Sequence, residues 1–132
     1  MRENTLGGLS VVGLGIDLVE TSRVAASLAR WGDRLIRKLM GPEEAGRLPA
    51  AGDARARELA HAIAAKEAAS KALGTGWSDG VRWSDVVLLP GPSLRLEARA
   101  ALRARALGST GATRTRIEER GDLVLSEVRL LG

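Results

Sequence analysis

Two charged residues one helical turn apart, Glu67 and Lys71, are the first whose types and spacing could do chemistry. They lie in AAKEAASKALGTG (residues 64–76), an alanine-rich run with a strong intrinsic preference for helix. Gly74 ends that run as a left-handed C-terminal residue. A glutamate and a lysine at i and i+4 ordinarily form an exposed ion pair worth about 0.3–0.5 kcal/mol. Here Ile63, Glu67 and Lys71 fall on nearly one stripe of a 3.6-residue repeat, which Leu59 extends backwards. A carboxylate on an apolar stripe is costly unless it is paired or bound to a metal, so Glu67 needs a partner that the local sequence supplies only in part. Asp17 interrupts an apolar run near its end and, taken alone, reads as a helix-capping or turn aspartate.

These residues must be positioned by the elements around them. Residues 9–19 (LSVVGLGIDLV) have the Val and Ile content of a buried first strand, with glycines at Gly13 and Gly15. Thr21 and Ser22 offer N-caps for a basic helix over 23–39, stopped by Gly41-Pro42. Glu43-Glu44 start a short helical turn, and a long helix follows over 54–73. A glycine-punctuated loop over 74–80 contains Trp77. Residues 81–89 read as a strand, Pro90-Gly91-Pro92 as a tight turn, and Leu94 and Leu96 as a short strand. A third helix over 97–107 ends at Gly108, and 113–117 with 123–130 form a closing antiparallel hairpin. Mixed elements with short connections indicate an α+β fold, an antiparallel sheet packed on a long helix. Residues 1–8 read as a disordered or extended tail and 9–132 as a single domain.

Composition bounds the function. At 132 residues the chain can bury a core unaided. Cysteine is absent, which excludes disulfides and thiolate metal sites. No apolar run reaches the ~20 residues of a membrane span, and the N-terminus has no apolar signal core, so a cytoplasmic location is expected. With Trp31, Trp77 and Trp83 as the only aromatics, the core must be aliphatic, and oligomerisation would help it. The net charge of +4 suits an acidic partner. Aromatics are not interleaved with the basic residues, so a nucleic-acid role is set aside. Trp77 and Trp83 read as hydrophobic contacts, and His61, the sole histidine, as a surface or partly packed residue.

The blocks GLGIDLVETSR (13–23), RLIRKLMGPEE (34–44), AAKEAASKALGTG (64–76) and WSDVVLL (83–89) together resemble the holo-acyl-carrier-protein synthases. These are the small 4′-phosphopantetheinyl transferases. The resemblance spans roughly residues 9–130 and implies their fold. It implies transfer of 4′-phosphopantetheine from coenzyme A to a serine of an acyl carrier protein, in fatty acid or polyketide biosynthesis. It places Mg²⁺ on Asp17 and Glu67, a demand that one or two carboxylates with phosphate oxygens and water would meet. Lys71 would steady charge on the departing phosphate, and Glu67 or a metal-bound water would take the serine proton. Gly74, Thr75 and Gly76 match the loop beside the nucleotide. Arg23, Arg30, Arg34 and Lys38 match a carrier-docking face, and the family's homotrimer places active sites between subunits.

Three positions depart from the family pattern. Ala62-Ile63 replace Arg-Phe, removing an arginine that would hold a coenzyme A phosphate. Pro90-Gly91-Pro92 replaces Gly-Lys-Pro, removing a lysine. Arg116-Ile117-Glu118-Glu119 stands where a small hydroxyl residue and then His or Asp are usual. Arg114 or Arg116 is the candidate to restore the lost charge. The departures motivate an alternative: a transferase-like protein that has lost the reaction, and docks a carrier or uses the inter-subunit cleft for another small molecule.

Overall fold

A computed structural model describes residues 5–6 and 8–132. The short β1 (Thr5–Leu6) leads in and pairs antiparallel with the long β2 (Leu9–Glu20). Most of the tail expected over 1–8 lies outside the described residues; Thr5 and Leu6 pair with Ser10 and Leu9. The chain continues through helices α1 (Thr21–Trp31), α2 (Asp33–Leu39), α3 (Pro42–Ala45) and α4 (Gly52–Leu73). A hairpin of β3 (Val86–Leu89) and β4 (Ser93–Leu96) precedes α5 (Ala98–Ala106), and a second hairpin of β5 (Thr113–Arg120) and β6 (Leu123–Leu131) closes the chain. The main sheet is antiparallel in the order β1-β2-β6-β5. It packs on α4, the α+β arrangement the sequence indicates.

Glycine on the strand and alanine on the helix set how closely α4 approaches the sheet. A Cβ at Gly15 would lie 1.8 Å from the Ala68 carbonyl oxygen, and one at Gly13 would lie 2.5 Å from that of Ala72. Neither position can carry a side chain without backbone movement. The C-terminal half of α4 packs into a core with Val81, Val86, Leu94, Ala100, Ala104, Val128 and Leu130. Its N-terminal half packs with Val24, Ile36, Leu39, Met40 and Val124. Both halves bury mostly small residues, which is how so aliphatic a core closes around one helix.

Four readings of the sequence are corrected here. The single helix over 23–39 is two helices, because Gly32 takes φ 55° and breaks the rod between α1 and α2. Thr21 and Ser22 do not cap α1 with their side chains. Instead Asp122, in the β5–β6 turn, accepts from the Ser22 amide at 2.8 Å and from its hydroxyl at 2.5 Å. The strand over 81–89 survives only as β3. Ahead of it, the Asp85 carboxylate accepts from the Arg82 amide at 3.0 Å and draws residues 83–85 into a 3₁₀ turn. Lastly, Ile63, Glu67 and Lys71 do not form the buried stripe of α4. Ala62, 64–66, 68–70, Ala72 and Leu73 are buried, whereas Ile63 and Glu67 are half-buried and Lys71 is exposed. They are the one line on which this half of α4 opens outward.

Candidate active site

Alternation along β2 sends Gly13, Gly15, Asp17 and Val19 to the helix side of the sheet. Because the two glycines let α4 close in, Asp17 reaches it directly. The Lys71 ammonium donates to Asp17 Oδ1 at 2.8 Å and to the Ile16 carbonyl at 3.1 Å. That contact holds the Lys71 pKa above its ordinary value. Glu67, one turn earlier, stands close enough to feel both charges. Burial is the main cause that raises its carboxyl above the usual range, and repulsion from Asp17 adds to it. The Trp77 indole opposes that rise, although its N–H meets no acceptor at hydrogen-bonding geometry. Lys71 opposes it more weakly. Asp17 therefore shares one site with an acid and an amine about fifty residues later in the chain.

Among the described residues no group of three or more His, Cys, Asp or Glu could form a complete metal cage. Two facing carboxylates whose repulsion a cation would relieve are the donor set of Mg²⁺ held jointly with phosphate oxygens and water. The residues fit that ion. Gly74 closes α4 in the left-handed region at φ 76°, as its sequence position implies. The Gly76 amide then donates to the Ser70 carbonyl at 3.2 Å, and the Thr75 hydroxyl to the Gly76 carbonyl at 3.0 Å, folding the loop back on the helix end. Arg103 pins the same end through the Leu73 carbonyl at 2.8 Å.

Arg23, Arg30, Arg34 and Lys38 are exposed on α1 and α2, and Arg23 lies 3.6 Å from Glu20. Between this face and α4 a cavity of about 310 Å³ is lined by Leu18, Arg23, Leu35, Leu39 and Ile63.

The structure also shows what the sequence reading missed. Lys66 is fully buried (0 % exposed), and its ammonium meets Glu44 at 2.8 Å, the Trp83 carbonyl at 2.9 Å and the Val86 carbonyl. Glu44 also accepts from the Leu88 amide at 3.2 Å, so the pair ties α3, α4 and β3 together. Burial depresses the Lys66 pKa and Glu44 counters it. The available signal was the scarcity of lysine beside so many arginines. His61 and Glu119, both at or beside departures from the family pattern, contact one another through Nε2 and Oε1. Arg114 and Arg116 do not restore the lost charge near Ala62: strand alternation puts them on the outer face of the sheet, where Arg116 bonds Glu118. The cation beside Ala62 is Arg47, in a cavity of about 420 Å³ that also includes Leu88 and Pro90.

Comparison with known proteins shows the family. The family model described as the 4′-phosphopantetheinyl transferase superfamily matches residues 13–121. A holo-[acyl-carrier-protein] synthase of Alkalilimnicola ehrlichii is 47% identical over 105 residues, covering 76% of this chain and 82% of that protein. Among solved structures, the holo-[acyl-carrier-protein] synthase of Neisseria meningitidis superposes with TM-score 0.76 at 25% identity, over 91% of this chain and 98% of that one. A synthase–coenzyme A complex from Chronobacterium ammoniagenes superposes with TM-score 0.71 at 25% identity, over 91% and 96% of the two chains. The chain belongs to the 4′-phosphopantetheinyl transferase superfamily.

Proposed function

We propose that this protein is a holo-[acyl-carrier-protein] synthase, folding as one unit over residues 9–132 and working in the cytoplasm. It transfers 4′-phosphopantetheine from coenzyme A to a serine hydroxyl of an acyl carrier protein. The observation that carries the reading is the meeting of Asp17, Glu67 and Lys71, in a chain whose relatives bear that name. In the reaction, the serine oxygen forms a bond to the β-phosphorus of coenzyme A. The pyrophosphate P–O bond breaks, and adenosine 3′,5′-bisphosphate leaves. Asp17 and Glu67 would hold Mg²⁺, which would supply charge neutralisation for the pyrophosphate. Lys71 releases Asp17 to meet the departing phosphate, and Glu67 or a metal-bound water would take the serine proton. Gly74, Thr75 and Gly76 give the nucleotide a close backbone approach.

Two further features support parts of this reading. The positive charge missing at Ala62 and in the Pro90-Gly91-Pro92 turn is supplied to the same cavity by Arg47, which already donates to the Leu88 carbonyl at 2.7 Å. Arg47→Ala should raise the KM for coenzyme A about tenfold, whereas an unchanged KM rejects that role. The outer face of the sheet carries Leu14, Ile16 and Leu18 at 53%, 49% and 57% exposure, with Leu123 and Leu125 beside them. So apolar a sheet face calls for protein cover, which the family's homotrimer would supply.

The test is mass spectrometry of an apo carrier protein incubated with this protein, coenzyme A and Mg²⁺. A gain of one phosphopantetheine arm, lost with EDTA and in Asp17→Ala, is the expected result. No gain across several carriers, with Glu67→Ala indistinguishable from the parent, rejects the reading. Calorimetry with coenzyme A separates it from the inactive alternative, for which Mg²⁺-dependent tight binding is not expected.

A further inference from the structure

Trp77 carries a buried polar group that the proposed reaction leaves unused. Its indole N–H is shut away from solvent and meets no acceptor among the described residues. An indole nitrogen can only donate, and a buried donor left without a partner is costly. The ring itself is held in place. It stacks on Trp83 with centroids 4.1 Å apart and planes 19° from parallel. The Trp83 carbonyl accepts from the Lys66 ammonium at 2.9 Å, and Lys66 immediately precedes Glu67 on α4. On its other side Trp77 follows the loop whose Gly76 amide donates to the Ser70 carbonyl at 3.2 Å. Both anchors lie within one turn of Glu67 on the same helix.

Glu67 has the complementary need. Lys71, the amine one turn away, gives its ammonium to Asp17 and the Ile16 carbonyl. Burial raises the Glu67 pKa, and the Trp77 indole acts against that rise more strongly than Lys71 does. We propose that Trp77 is a positioning residue of this site: one Glu67 carboxylate oxygen turns to accept its indole N–H, and the other is left facing Asp17. The turn is a small one, because the terminal torsion of a glutamate is broad. A carboxylate already held through one oxygen loses little freedom when the other takes a cation. Partners of this kind, bonded to a metal-ligating side chain, are worth roughly 10–100-fold in metal affinity or activity. The role given to Glu67 rests on the transferase reading, whereas the contact with Trp77 rests on the placement of the indole.

The contact is read from the indole N–H region of the NMR spectrum of the whole protein without metal, where Trp31, Trp77 and Trp83 each give one signal. Loss of a signal in Trp77→Phe and in Trp31→Phe assigns those two. The Trp77 signal is expected to move upfield in Glu67→Ala, while that of Trp31 stays in place. Trp77→Phe keeps an aromatic face against Trp83 and removes the donor. In transfer to an apo acyl carrier protein, its apparent KM for Mg²⁺ should rise about tenfold, and saturating Mg²⁺ should recover the greater part of the rate. If the parent modifies the carrier, either of two results overturns this inference and leaves the transferase reading standing. One is a folded Trp77→Phe with the parent's Mg²⁺ dependence; the other is a Trp77 signal that ignores Glu67→Ala. Should Trp77→Phe lose its circular dichroism signature, the response of the indole signal to Glu67→Ala decides alone. Failure of the parent to modify any carrier removes the transferase reading itself, and this inference with it.

Discussion

Glu67 is a residue at which stability and function oppose each other. Its carboxyl pKa is raised first by burial, then by Asp17. A raised folded-state pKa means that the protonated form's contribution to stability is full below the ordinary glutamate value, about 4.3. It is lost as pH climbs through the folded value. At neutral pH the ionised side chain therefore weakens the metal-free fold. Glu67→Gln should raise the melting temperature at neutral pH by a few degrees at most, and the gain should disappear below about pH 4. Calorimetry across that range checks the sign, and the same variant should be inactive in transfer. Lys71→Ala should lower transfer by about 10²–10³-fold, with unchanged circular dichroism. At Lys66 the expectation is different. Removing the ammonium in Lys66→Met strands the buried Glu44 carboxylate at a cost of about 3–5 kcal/mol. Glu44→Gln with Lys66→Met should recover much of that loss in urea unfolding.

At the scale of elements, the contact between β2 and α4 decides whether a site exists. Gly15 lets the Ala68 carbonyl approach where a Cβ would clash, and Asp17 reaches Lys71 because of it. Gly15→Ala should lower stability by about 1–3 kcal/mol. Transfer should fall further than partial unfolding explains, because the strand must move away from the helix. Gly13→Ala meets its nearest backbone atom at a longer distance and should cost less. Transfer rates normalised to the folded fraction would show whether spacing or stability is responsible. Most elements were legible in sequence, because alanine runs, glycine stops and apolar alternation act locally. The break at Gly32 and the 3₁₀ turn before β3 were not, since each depends on a backbone choice that the apolar pattern leaves open.

For the whole molecule, the outward face of β2 and β6 is the main unfinished surface. Leu14, Ile16 and Leu18 alternate with the inward Gly15 and Asp17, so one strand carries an exposed apolar face and the Asp17 carboxylate on opposite sides. Ile16→Asp should convert a trimer to monomers in sedimentation velocity and, if the site lies between subunits, remove transfer with it. A monomeric parent would instead leave that apolar face without its proposed cover. The basic face of Arg23, Arg30, Arg34 and Lys38 lies on α1 and α2, elements whose own charges find few partners among the described residues.

The sequence by itself determined the local choices: the helix around Glu67 and Lys71, its stop at Gly74, the strand carrying Asp17, and the motif blocks of a transferase family. These depend on residue preference and periodicity, which neighbours in the chain express. Only the tertiary structure decided which charge is buried and which is free. The alanine-rich stretch offers Lys66, Glu67 and Lys71 within two turns, and helical periodicity placed Glu67 on the wrong stripe. Burial of α4 on several sides at once put Lys66 inside with Glu44 and left Glu67 and Lys71 facing Asp17. That outcome depends on packing partners distant in sequence, and no local pattern encodes them.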